Sequence, residues 1–151
     1  MEMIPTDVVR QAMVETIEEI FESMMFMDAI ALEKNVTIES NYMVRMLINH
    51  PFPGEIVVKL NEDLLIRMSS NLYLLEDDEI SEKVKNDLAY EITNTIAGKL
   101  MDKLVPETST FKLGLPEMTD SVFIEDDSDN ISVSFVVDDE YYLKIHLYMS
   151  I

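Results

Sequence analysis

Asp87, Glu91, Asn94 and Gly98 follow one another at spacings of four, three and four, inside a stretch whose apolar residues recur with helical period. That spacing makes them neighbours along one side of a helix. Leu88, Ile92, Ile96, Leu100 and Leu104 fall on a different face, about 160° wide, which Ile80 and Val84 extend upstream and which is the expected core side. A polar line facing water is what any surface helix shows. Two members of this one resist so plain a reading, because Asn and Gly are weak helix formers and Gly costs about 1 kcal/mol relative to Ala in a helix interior. A glycine beside a Glu and an Asn also removes a side chain where another backbone could approach closely. The line therefore reads as a docking face that offers carboxylates and one amide to a partner.

Other chemistry finds little support. The chain has no Cys, which removes disulfides, thiol nucleophiles and thiolate metal sites together and agrees with a reducing compartment. His50 and His146 are isolated from each other and from any patterned carboxylate, so they read as ordinary loop and strand positions. The turn from Asp126 to Asn130 begins like a Ca²⁺ loop, but Ile131 stands at its sixth position and Val137 at its twelfth, where Gly and Glu are required. No G-x-G-x-x-G or Walker pattern occurs. Of twelve Met, Met13, Met24, Met25, Met68 and Met101 fall at helical core spacings and are expected in the core rather than in a binding groove.

The elements that must carry the polar line come next. A length of 151 residues predicts one domain spanning 1–151. Eleven Lys and Arg against 30 Asp and Glu give a net charge of −19, which argues against nucleic acid and against anionic membranes. With 48% apolar residues the chain is nonetheless expected to fold. Neither a secretory signal nor a membrane span is expected, so the reading is cytoplasmic. Helical spacing predicts a first helix from Asp7 to about Ala31, capped by Thr6, with Val9, Met13, Ile17, Ile20, Phe21, Met24 and Met25 buried. Strands are expected near Val36–Glu39, Tyr42–Ile48 and Glu55–Leu60, the last two forming a hairpin. Asn61 is the expected cap of a helix to about Leu74, and Ile80–Leu104 forms the second long helix, stopped by Pro106. Strands at Phe111–Leu115, Ser121–Glu125, Ile131–Asp138 and Tyr141–Met149 complete the chain. Without βαβ alternation, the class is α+β with a largely antiparallel sheet covered by helices. A shift of 76 residues places Glu15 on Glu91, Ile20 on Ile96 and Met25 on Met101, a hint of internal duplication.

These residues carry a resemblance. Asp87-x-x-x-Glu91-x-x-Asn94 on a long helix, followed 22 residues later by Pro116, resembles the signature of the CheC/CheX/FliY chemotaxis phosphatases. The stretch Gly54–Leu60, the short helix and acidic linker after it, and Leu88–Gly98 are similar to that family in order and texture, as is Phe21–Met25. The resemblance implies hydrolysis of the phosphoryl-aspartate of a CheY-type response regulator. By carry-over, Asn94 orients the attacking water and Glu91 pairs with the regulator's active-site lysine, with Asp87 and Gly98 on the partner-binding face. It further implies that the chain binds no cofactor of its own and that Mg²⁺ belongs to the regulator. An acyl phosphate is already activated, so a partner need supply little beyond positioning.

The first helix departs from the pattern, with Glu18 where the Asn would stand and with Gln11 and Glu22 in place of Asp87 and Gly98. A carboxylate at that position repels phosphate and hydroxide, so this half is expected to be inactive. One working site resembles the CheX branch more than the two-site CheC branch, and that branch implies a homodimer. The strand Tyr141–Met149 is either an edge available for such pairing or a central strand. The rival reading is a non-catalytic module of the same fold that docks a receiver domain or flagellar partner, and Asn94 separates the two.

Overall fold

A computed structural model describes residues 4–40, 42–120 and 130–150. The first helix, α1 (Thr6–Ile20), continues into a π-helical turn at Phe21–Met25 and is followed by β1 (Ala29–Ala31). The hairpin β2 (Tyr42–His50) and β3 (Gly54–Leu60) comes next, then α2 (Glu62–Tyr73) and a short 3₁₀ turn at Asp77–Glu79. The long helix α3 (Glu82–Leu104), the two short strands β4 (Lys112–Leu113) and β5 (Glu117–Met118), and the hairpin β6 (Asn130–Val137) and β7 (Tyr141–Met149) follow. All strand pairs are antiparallel, in the order β1-β6-β7-β3-β2-β4, with β5 also on β2. The α+β class with an antiparallel sheet is as expected.

Strand order explains how the two halves combine. The layout of long helix, short strand and hairpin occurs twice, and the two hairpins meet at the centre, where β3 pairs with β7 from Gly54↔Met149 to Leu60↔Leu143. The halves are interleaved: α1 packs on β6 and α3 packs on β2 and β3, while the two helices pack on each other. Under the 76-residue shift, buried positions match as well. Val9 with Lys85, Ala12 with Leu88, Ile17 with Thr93, Ile20 with Ile96 and Met25 with Met101 are all buried.

The core lies between the helices and one sheet face. Val44, Met46 and Ile48 of β2, Ile56, Val58 and Leu60 of β3, and Leu143, Ile145 and Leu147 of β7 point into it, as strand alternation requires. Leu88, Ile92, Ile96 and Leu100 of α3 close it from above. Each fully buried aliphatic side chain stabilises by about 1.5–3 kcal/mol relative to exposure, so this face is what holds α3 in place. Gly54 is required by a close approach, since a Cβ there would lie 2.3 Å from the Tyr148 carbonyl oxygen. The β6–β7 turn places Asp138 and Asp139 at positive φ (52° and 57°), and Asp tolerates that conformation.

Several expectations are corrected. The first helix stops at Met25 rather than near Ala31, because Phe26 turns left-handed and Ala29–Ala31 must pair with Phe135–Val137. Pro5 rather than Thr6 holds its N-cap position, without a side-chain cap. Met24 is exposed, because the π turn shifts the register of the stripe. Val36–Glu39 is not a strand: the Val36 N–H donates to the Ser134 side chain (3.1 Å) instead of joining a ladder. Asn61 caps α2 in position only, its side chain accepting instead from the Tyr142 N–H (2.9 Å). The strand Tyr141–Met149 is central, between β3 and β6, which leaves β1 and the β4/β5 side as the edges. The expected strand Ser121–Glu125 and most of the turn Asp126–Asn130 lie outside the described residues.

Candidate functional site

Two anchors fix the register of α3. Ser81 caps it, its hydroxyl accepting from the Val84 N–H (3.2 Å). One turn further, the buried Lys85 donates to Glu62 of α2 (2.9 Å), pairs with Glu82 (3.2 Å) and stands over the Tyr42 ring of β2. Glu62 raises the Lys85 pKa, and the Tyr42 hydroxyl, donating to Glu82 (2.6 Å), lowers that of Glu82. A charged lysine so held ties α3 to α2 and to β2 at once. Further along, the buried Thr93 hydroxyl donates to the Ala89 carbonyl (2.8 Å), so the underside of the helix carries no unsatisfied group there.

The outward face then presents the four expected residues together. Asp87, Glu91 and Asn94 are exposed and Gly98 is partly so, on one rigid 23-residue helix. Asp87 is engaged by Lys83 (2.6 Å), an i,i+4 pair. Glu91 makes no ion pair among the described residues, and its neighbour is Tyr73 at the end of α2. Burial, then the charges of Glu91 and Asp87, raise the Tyr73 pKa. A Cβ at Gly98 would meet nothing within 4 Å, so the helix surface there is open. Pro116 lies between β4 and β5, at the sheet edge where a missing N–H breaks no ladder.

The matching face of α1 differs in its electrostatics. Glu15, the counterpart of Glu91, accepts from Gln11 (3.1 Å) and faces Lys103 at 3.9 Å, while Lys103 donates to Glu19 (2.9 Å). Glu18, at the Asn position, is exposed. Where α3 offers an amide and a carboxylate outside any ion pair among the described residues, α1 offers a paired carboxylate and a second acid.

Tyr73 and Lys103 escaped the sequence reading. The run Leu72-Tyr73-Leu74 ahead of the acidic linker was a usable signal for the first. Lys103 had none, because its partner Glu19 is 84 residues away.

Among the described residues, no group of three or more His, Asp and Glu is placed to hold a metal, and no helix is long and apolar enough to cross a membrane. His50 is exposed. His146 is buried, its Nδ1 2.7 Å from the Ser132 hydroxyl, and burial together with Lys144 and Lys59 lowers its pKa to about 4. It lies on the sheet face opposite the helices, in alternation with the core residues Ile145 and Leu147, and has no part in the α3 line.

An antiparallel sheet carrying two pseudo-equivalent helices is the fold of the CheC-like proteins. The chain belongs to the CheX family: the description Chemotaxis phosphatase CheX matches residues 42–145. No protein of curated function matches it. The chain is similar in structure to chemotaxis protein CheX from Vibrio vulnificus (TM-score 0.73, 14% identity, 94% of this chain and 99% of that one). It is also similar to a chain of the CheX–CheY–BeF3–Mg²⁺ complex from Borrelia burgdorferi (TM-score 0.68, 13% identity, 99% and 100%). Thermotoga maritima FliY shares the fold (TM-score 0.65, 12% identity, 99% and 93%).

Proposed function

We propose that the chain accelerates hydrolysis of the phosphoryl-aspartate on a CheY-type response regulator, with Asn94 orienting the attacking water and Glu91 pairing with the regulator's active-site lysine. Membership of a chemotaxis phosphatase family supports the reaction class, and the CheX–CheY complex of similar fold supports a CheY-type partner. The observation that carries the reading is the asymmetry of the two helices. Glu91 is free of ion pairs among the described residues and lies one turn from an exposed amide, whereas Glu15 is held by Gln11 and Lys103 beside a further acid.

In this mechanism the water oxygen attacks phosphorus in line, the bond to the aspartyl oxygen breaks, and aspartate leaves as a carboxylate while the water protons pass to the phosphate. An amide is too weak a base to take a proton, but its oxygen can accept from the water and its NH₂ can donate to a phosphoryl oxygen, which fixes the approach. The regulator's own Mg²⁺ and lysine supply the positive charge that this transfer needs. Because Glu91 and Asn94 share one helix face, both contacts form in a single docking event.

Replacing Asn94 by Ala tests this directly. The variant should fold and bind the regulator like the wild type while losing the accelerated release of phosphate. Unchanged turnover would remove Asn94 from the mechanism and favour a module that only docks.

A further inference from the structure

Lys85 is the one charged residue on the buried side of α3, 9% exposed and two positions ahead of the outward line. Under the 76-residue shift its counterpart on α1 is Val9, fully buried and apolar, so the fold accepts a hydrocarbon at this place in the helix layer. Stability does not explain the lysine, because exchanging a buried ion pair for apolar side chains of similar volume is often neutral or stabilising. Nor do its partners need it as a counter-charge, since the side chains of Glu62 and Glu82 are 55% and 66% exposed. What the ammonium supplies is direction. Apolar burial holds α3 on the sheet without angular preference. Lys85 is instead gripped from three sides, by Glu62 of α2 (2.9 Å), by Glu82 of its own helix (3.2 Å) and by the Tyr42 ring of β2, whose centroid lies 5.8 Å away. The Tyr42 hydroxyl donates to Glu82 and closes the network, while Asn61, beside Glu62, accepts from the Tyr142 N–H of β7. The rotation of α3 about its axis is thus referred to two central or near-central strands of the sheet.

We propose that Lys85 is a positioning residue for Asn94: it fixes the rotation of α3 and with it the direction in which the amide meets the attacking water. This rests on the phosphatase reading and names what aims the residue at its centre. The lever is short. Asn94 follows Lys85 along the same helix by about 13 Å, and with side chains reaching about 5–6 Å from the axis a rotation of about 10° moves the amide by about 1 Å. A misplacement of that size can cost about 100-fold in rate. Docking spreads its fit over the whole face and tolerates such a shift, so kcat rather than affinity carries the loss.

The test uses the full chain and a CheY-type receiver loaded with beryllofluoride and Mg²⁺ for binding, and the phosphorylated receiver for turnover, at a temperature where every variant is folded. Lys85→Met keeps an apolar stem and removes the charge. Its melting temperature should equal or exceed that of the wild type, its kcat should fall at least about tenfold, and its Kd should stay within about threefold. Glu62→Ala cuts the arm to α2 at an exposed position and leaves α3 chemically unchanged, so its kcat should fall several-fold with Kd again near the wild-type value. Wild-type kcat in a folded Lys85→Met overturns the proposal; if that variant does not fold, wild-type kcat in Glu62→Ala overturns it instead. A raised Kd with unchanged kcat, or equal losses of both, would place Lys85 in the docking face or the general frame and overturns the positioning role. If Asn94→Ala loses turnover while Lys85→Met keeps it, only this inference fails. If Asn94→Ala keeps turnover, or the wild type accelerates no release of phosphate, the phosphatase reading fails and this inference with it.

Discussion

Replacing Gly98 by Ala separates what the chain needs for folding from what its partner needs. Gly98 lies within α3, six residues before its last residue, and the added Cβ would find no atom within 4 Å apart from the helix itself. The methyl group is therefore accepted without strain, and the gain in helix propensity is about 1 kcal/mol. For a chain of this size that raises the melting temperature by about 2–4 °C. The same methyl group projects on the Asn94 line, one turn away, where close approach of the regulator is proposed. Overpacking at a well-fitted contact costs about 1–3 kcal/mol, so kcat/KM should fall by roughly one order of magnitude. Thermal melting gives the first quantity and continuous phosphate release from an acetyl-phosphate-charged regulator gives the second. A more stable variant with wild-type kcat/KM would take Gly98 out of the interface. A variant that melts lower would show that the site is not open.

Glu91→Lys should fold normally, since Glu91 makes no ion pair among the described residues, and should weaken regulator binding through repulsion of the receiver lysine. A titration with equal affinity would exclude Glu91 from the contact. Glu18→Ala should leave the dephosphorylation rate unchanged to within about twofold, because the α1 face is already blocked by paired and excess acids; a large loss would give the first helix a role. His146 supplies a pH dependence of stability. Its folded pKa of about 4 lies below the ordinary 6.5, so the unfolded chain binds the extra proton between those values and stability falls as pH drops through that window. The loss is up to roughly 3 kcal/mol. Urea titrations from pH 7 to pH 4 should show a shallower acid loss for His146→Gln than for the wild type, and equal slopes would refute a buried neutral imidazole.

The legible parts of the fold were those set by local periodicity. The apolar stripe of α3 lies buried from Leu88 to Leu104 as its spacing required, with Val84 only half-buried, and the line Asp87, Glu91, Asn94 and Gly98 faces outward. The β2–β3 hairpin follows from two strands broken at Pro51-Phe52-Pro53, and the β6–β7 hairpin from two strands broken at the acidic turn Asp138-Asp139-Glu140. The errors cluster where a distant segment overrode a local preference. The first helix ends earlier than its spacing predicts, because Ala29–Ala31 reads as helical until β6 is available to pair with it. The Asn61 side chain left the expected cap for a backbone donor 81 residues away. Met24 left the expected stripe where the helix widened into a π turn.

From the sequence by itself, then, came the α+β class, the two-fold repetition of layout and the single helix face that carries Asp87, Glu91, Asn94 and Gly98, since each depends on spacings of a few residues along one element. Only the tertiary structure decided that β7 is central rather than an edge, that Lys103 pairs with Glu15 and Glu19 of α1, and that Tyr73 lies near enough to Glu91 to feel its charge. Those facts depend on which surfaces meet after the chain has closed. Helical or strand period constrains the face a residue takes but not the residue, often eighty positions away, that it will touch.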